Sequence, residues 1–164
     1  PLLKFHELQE AILLSPQKKQ TQQFQELKDQ IAITGLDVEV KQSVSGASIV
    51  LSDKSQTGMF TIGSARPTQE MVRVMSGIGK ALTNHDGVIE ISGPTDGGKY
   101  QSGDYDNWRL STARAHMAYY MLLRGGMKER QVDRIVGQAD ANLKVPSDPY
   151  APANRRIEVL LKQR

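Results

Sequence analysis

From Leu36 onward the apolar residues switch between two spacings, and the order of those spacings leaves few folds open. Leu36, Val38 and Val40 alternate with Asp37, Glu39 and Lys41, the two-residue period of a strand with one buried face. Residues 43–48, with Gly46 among them, read as a turn, and 47–51 as the returning strand of a hairpin. Residues 59–62 are a short apolar piece and a candidate third strand. Pro67 and Thr68 then open a helix whose apolar face is Met71, Val74, Met75, Ile78 and Leu82. A strand over 88–92 leads into a loop reaching about Asp106. A second amphipathic helix spans 107–124 and stops at Gly125-Gly126. Residues 132–139 and the alternation of Ile157, Val159 and Leu161 complete the strands. This order predicts an α/β (α+β) two-layer sandwich, a mixed sheet covered by helices. Strands that alternate polar and apolar residues need one sheet face in water.

Residues 1–34 carry a different pattern. Phe5, Leu8 and Ile12 recur at helical spacing, as do Phe24, Leu27 and Ile31, with Ser15-Pro16 between them as a cap and first helical position. Residues 17–25 are rich in Gln and Lys. One apolar residue per turn is a thin stripe, so the expected division is a helical linker at 1–34 and a domain at 35–164. Pro1 and the lack of a leader pattern point to a piece or processed form of a longer protein.

Composition closes several routes. There is no Cys, which removes disulfides, thiolate metal sites and Cys nucleophiles. His6, His85 and His116 are far apart in sequence, a poor basis for a metal site. No apolar run approaches the ~18 residues of a membrane span. The net charge is +3 and residues 1–66 are neutral, so the diffuse basic excess is no nucleic-acid footprint despite a pI near 9.2. No motif requires a cofactor.

The most unusual stretch is 93–115, GPTDGGKYQSGDYDNWRLSTARA, which leaves a strand and enters a helix. Asp96, beside Thr95 and Gly97-Gly98, and Arg114, about two turns into the helix, can be read in two ways. Set apart, a carboxylate and a guanidinium complement a zwitterion, Asp96 facing an ammonium and Arg114 a carboxylate. Backbone N–H groups at the helix start near Asn107 would assist with the anion. Paired with each other, they form a salt bridge that pins the loop. Residues 104–106 lack the later ligands of a calcium loop, and the glycines fit no phosphate-binding motif. A Ser-His-acid triad using His116, or a carboxylate pair from Glu90, Asp96, Asp104 and Asp106, is weakly supported. Asn154-Arg155-Arg156 precedes the last strand. Arg155 can fold back toward the loop or helix and Arg156 falls on the polar strand face; the simplest reading makes both solvated cations.

Three motifs carry a family resemblance. Asn107-x-x-Leu110-Ser111-x-x-Arg114-Ala115, the upstream Gly93-x-Thr95-Asp96 and the downstream Asn154-Arg155-Arg156-Ile157-Glu158 resemble the signatures of OmpA-like peptidoglycan-binding domains. The likeness covers 59–164 and, more loosely, 36–58. Asp106-Asn107-Trp108, Met59-Phe60 with Gly63-Ser64-Ala65, and Arg124-Gly125-Gly126-Met127 are similar to MotB-like flagellar stator proteins. The resemblance implies non-catalytic binding of the diaminopimelate in the peptidoglycan stem, by Asp96 and Arg114, with Thr95, Asn107, Leu110 and Arg155 lining the site. It implies a homodimer, a MotA-like channel subunit as partner through a membrane segment outside this sequence, and flagellar basal-body ring proteins nearby. The full protein would sit in the inner membrane with a single transmembrane helix, this part of it in the periplasm. An OmpA-like anchor of an outer-membrane protein or lipoprotein, or a peptidoglycan-cleaving enzyme, are the alternatives. Pro94 stands where many relatives carry His, which removes a side-chain hydrogen bond and stiffens the turn.

Overall fold

The computed structural model describes residues 36–43, 46–54, 58–98 and 106–162. The linker helix expected over 1–34, and with it the domain boundary, lies outside these residues. Five strands and two helices follow in the order β1 (Leu36–Ser43), β2 (Gly46–Asp53), α1 (Gln69–Ala81), β3 (Val88–Pro94), α2 (Asn107–Gly125), β4 (Val132–Ala139) and β5 (Arg156–Lys162). Short 3-10 turns at Glu129–Gln131 and Pro152–Asn154 lead into β4 and β5.

The strands form one mixed sheet ordered β1-β2-β5-β3-β4. Only β3 and β4 run parallel, because α2 supplies the crossover between them. The other neighbours are antiparallel. The two-residue period sets the register: Val38 lies opposite Leu51 and Val40 opposite Ile49. The core gathers Leu36, Ile49, Leu51, Ile89, Ile91, Ile157 and Val159 from the sheet with Met71, Met75 and Ile78 of α1 and Ala115, Ala118 and Leu122 of α2. The α/β sandwich expected from the periodicities is the observed architecture.

The ends of the helices reflect local chemistry. Thr68 caps α1, its hydroxyl accepting the Met71 N–H at 3.2 Å. Glu70 in the first turn and Lys80 in the last suit the helix dipole. Two local readings need correction. Residues 59–62 form no strand; Phe60 makes a single antiparallel bridge to Pro67, since the chain turns back at once to enter α1. The second helix runs through Gly125, and Gly126 alone ends it, at φ +127°.

One pair of glycines seats α2 on the sheet. Gly93 and Gly137 are register partners on β3 and β4. A Cβ on Gly137 would collide with Thr112 Oγ1, and one on Gly93 would meet the Ser111 carbonyl at 2.6 Å. The N-terminal half of α2 therefore lies directly on the sheet backbone. Ser111 Oγ fills the gap, accepting the Ala139 N–H at 3.0 Å. This seating sets the height of Arg114 above the strand ends.

Burial at the turn into β3 disfavours the charged form of His85 and lowers its pKa from the ordinary 6.5, against the opposing pull of the Lys162 backbone and Asp86. As pH falls through 6.5 the unfolded chain takes up a proton that the folded chain resists, so this group's contribution is present above that pH and lost below it. Thermal melts between about pH 7.5 and 5.5 should show a smaller fall in Tm for His85→Gln than for the unaltered chain. Equal slopes would remove His85 as the cause.

Candidate ligand-binding site

The ends of β2, β3 and β5 converge with the first half of α2, and four charged side chains meet there out of water. Asp96 lies two residues past β3 and is 4% exposed; Arg114 of α2 is also 4% exposed. Arg155, immediately before β5, joins them together with a residue that spacing did not single out, Asp53 at the end of β2. Arg155 Nη1 donates to Asp96 Oδ2 at 2.7 Å and its Nε donates to Asp53 Oδ2 at 2.8 Å. One guanidinium is thus shared between two carboxylates. The second oxygens are also used: Asp96 Oδ1 accepts the Gly98 N–H at 2.8 Å and Asp53 Oδ1 the Met59 N–H at 2.9 Å.

Arg114 is held differently. Its Nε donates to the Ser64 carbonyl at 2.9 Å, and its guanidinium carbon lies 5.3 Å from the centre of the Phe60 ring, a cation–π contact. Its positive charge also reaches Asp53. Among the described residues no ion pair joins Asp96 to Arg114. The pinning salt bridge exists, but its cation is Arg155.

The remaining sequence candidates divide by exposure. Asn107 opens α2, donates through Nδ2 to the Gly98 carbonyl at 2.8 Å, and presents a buried Oδ1 with no hydrogen-bond partner among the described residues. Thr95 and Leu110 have no exposed surface. Thr95 donates its N–H to the Ala139 carbonyl at 2.7 Å and its hydroxyl to the Asp96 carbonyl at 3.2 Å, so it fixes the backbone that carries Asp96. The helix start is already capped by an anion: Asp106 accepts the Arg109 N–H at 2.8 Å. That carboxylate sits where backbone donors were expected to help hold a ligand anion.

The reading of Arg155 and Arg156 as solvated cations is overturned, at 7% and 5% exposure. Arg156 does fall on the polar strand face, but it donates to Glu158 Oε1 at 2.7 Å and to the Asn142 carbonyl at 2.6 Å, and the loop of Asn142 covers it. Asn154 is wholly buried. It accepts the Val145 N–H at 2.7 Å and donates to the Asp148 carbonyl at 2.9 Å, bracing a loop whose Pro149 carbonyl accepts the Gly97 N–H.

Burial pushes the Asp53 carboxyl above the usual carboxylate range, with Arg155, the Met59 N–H and Arg114 opposing the rise. Arg155 is held above its ordinary value because its two carboxylate partners outweigh its desolvation. Asp53 carries no local signal of its role, and Phe60 and Ser64 stand in motifs of the family resemblance that assign them none; Asp53 lies 102 residues from Arg155, and Ser64 lies 50 from Arg114. Among the described residues no group of three or more His, Cys, Asp or Glu side chains could hold a metal ion. A groove of about 980 Å³ beside β4, lined by His116, Tyr119 and Arg130, lies apart from this cluster.

No protein-family model matches the chain. Motility protein B of Escherichia coli strain K12 is 34% identical over 118 residues, which cover 71% of this chain and 38% of that protein. The periplasmic domain of Helicobacter pylori MotB has a similar fold, with a TM-score of 0.69 at 20% identity, over 81% of this chain and 83% of that one. The cell wall anchor of the type VI secretion system from Pseudomonas aeruginosa is also similar, with a TM-score of 0.64 at 23% identity, over 77% and 88%. The described residues thus form an α/β domain of the OmpA type. Within that class the chain is MotB-like. It spans between 38% and 59% of the curated flagellar relatives it matches.

Removing the shared cation should be costly. Arg155→Met leaves two buried carboxylates without their partner, a loss of roughly 3–5 kcal/mol at neutral pH. Protonation relieves stranded carboxylates, so the gap to the unaltered chain should narrow at about pH 4. Urea unfolding at both pH values checks this; a gap that does not change with pH would separate the loss from the carboxylates.

Proposed function

We propose that this domain binds the peptide stem of peptidoglycan without breaking a bond, and so anchors a flagellar stator to the cell wall. The observation that carries the reading is the burial of Asp96 and Arg114 in one cluster without direct pairing. A free amino-acid centre, such as the one diaminopimelate keeps in the stem, bears an ammonium and a carboxylate. The ammonium would meet Asp96, where two of about four carboxylate lone-pair directions are taken by Gly98 and Arg155. The unpartnered Oδ1 of Asn107, tied to the same Gly98, is a second acceptor for it. The ligand carboxylate would take paired N–H donors from Arg114, whose plane Phe60 and Ser64 orient. Arg155, Thr95 and Leu110 would act from behind by positioning these groups.

The stator role rests on the likeness to Motility protein B. The whole protein would lie in the inner membrane with this domain in the periplasm, as a homodimer beside a MotA-like channel subunit and the basal-body rings. A fixed anchor needs no catalytic group and no cofactor, and nucleic acid has no place in this reading.

Co-sedimentation with purified peptidoglycan sacculi tests it. The unaltered chain should pellet with the wall. Asp96→Ala and Arg114→Ala, each confirmed as folded, should lose at least about tenfold in affinity, since each strands a charged group of the bound ligand. A folded unaltered chain that stays in the supernatant, also with residues 1–34 removed, would overturn the proposal.

A further inference from the structure

The buried cluster holds one more charge than hydrogen bonding requires. Arg114 satisfies its Nε with a neutral acceptor, the Ser64 carbonyl. Arg155 satisfies its Nε with a full carboxylate, Asp53, whose side chain is 4% exposed. Burying an additional ion costs free energy, and a carbonyl would have served the same geometry. The consequence is electrostatic. If Arg155 faced Asp96 alone, the two would cancel, and an ammonium arriving at Asp96 would meet a neutral pair. Shared between two carboxylates, Arg155 neutralises only one. Among the described residues, Asp53, Asp96, Arg155 and Arg114 sum to zero, the net charge of a zwitterion, with the negative side at Asp96.

We infer that Asp53 is a positioning and charge-setting residue of the ligand site: by drawing on Arg155 it keeps Asp96 able to hold an ammonium group. This rests on the proposed wall-binding function and adds a residue to it. Asp53 touches no ligand. It acts through Arg155, and through the Met59 N–H it also anchors the segment that carries Phe60 and Ser64 to Arg114.

Two probes separate charge from mere bracing, free meso-diaminopimelate and pimelate, which has the same carbon chain and carboxylates but no ammonium. Calorimetry on the full chain should show Asp53→Asn binding meso-diaminopimelate about tenfold more weakly, because the cluster is left with one net positive charge. Pimelate should bind the variant as well as or better than the unaltered chain. Asp53→Glu, which restores the charge, should recover most of the loss. A measurement on the unaltered chain uses reciprocity and does not depend on the variant folding. If ionised Asp53 favours the ammonium, then bound meso-diaminopimelate must favour ionised Asp53. The carboxyl carbon resonance of Asp53 should titrate at lower pH when that ligand saturates the site, and should not do so with pimelate. Among the described residues, the charged groups acting on Asp53 in this titration are Arg155 and Arg114, with Asp96 linked to it through the shared Arg155.

A folded Asp53→Asn with undiminished affinity for meso-diaminopimelate overturns the inference. So does an equal loss for both ligands, or an Asp53 titration that ignores the ammonium. These outcomes leave the proposed function standing as long as the unaltered chain binds. An unaltered chain that binds neither meso-diaminopimelate nor sacculi overturns both.

Discussion

Arg155 sits between Asp53 and Asp96 at hydrogen-bond distance from each, and the three side chains are nearly withdrawn from water. Desolvating one guanidinium and two carboxylates is expensive, and a partial set would be worse than none. That requirement shapes the surrounding structure. The β2 and β5 ends must stay in register for Asp53 to reach Arg155, and the Asp53 N–H bonds the Arg155 carbonyl at 3.2 Å. The loop after β3 must bring Asp96 back over the strand ends, which Thr95 and Gly97 achieve through bonds to Ala139 and Pro149. Asn154 then braces the loop that supplies Pro149.

The two halves of the candidate site are built on opposite principles. Asp96 stands within a network of ions and polar hydrogens, so its field depends on its neighbours' charge states. Arg114 stands against an aromatic face and the Ser64 carbonyl, which fix its orientation. Such an arrangement keeps a positive and a negative centre apart inside one buried cluster. Phe60, with no charge of its own, packs against the Arg114 guanidinium.

What the sequence made legible was periodic or local. Val38 and Val40 alternate because one sheet face is buried, and Met71, Val74, Met75 and Ile78 recur at helical spacing because one helix face is. Asp96 and Arg114 stood out because they flank a glycine-rich junction between a strand and a helix. The misread features depend on contacts that spacing cannot encode. Asp53 ends an otherwise ordinary strand, and only the topology brings it to a partner 102 residues on. Arg156 alternates as expected onto the polar face, but a loop folds over that face and supplies the Asn142 carbonyl. Residues 59–62 are apolar enough for a strand, yet only Met59 and Phe60 enter the core, Phe60 also facing Arg114, and the backbone turns toward Thr68 while Ile62 stays exposed.

The sheet order has a mechanical consequence. Asp96 lies beyond the C-terminal end of β3, and Arg155 precedes the N-terminal end of β5; these antiparallel strands are neighbours near the middle of the sheet, with Ser92 opposite Glu158. A pull applied at the Asp96–Arg155 cluster therefore tugs both strands from the same edge of the sheet. β1 starts at that edge too, with Leu36 opposite Asp53, so a load passing between the start of β1 and the cluster stays at one end of the ladders and leaves their far ends unloaded.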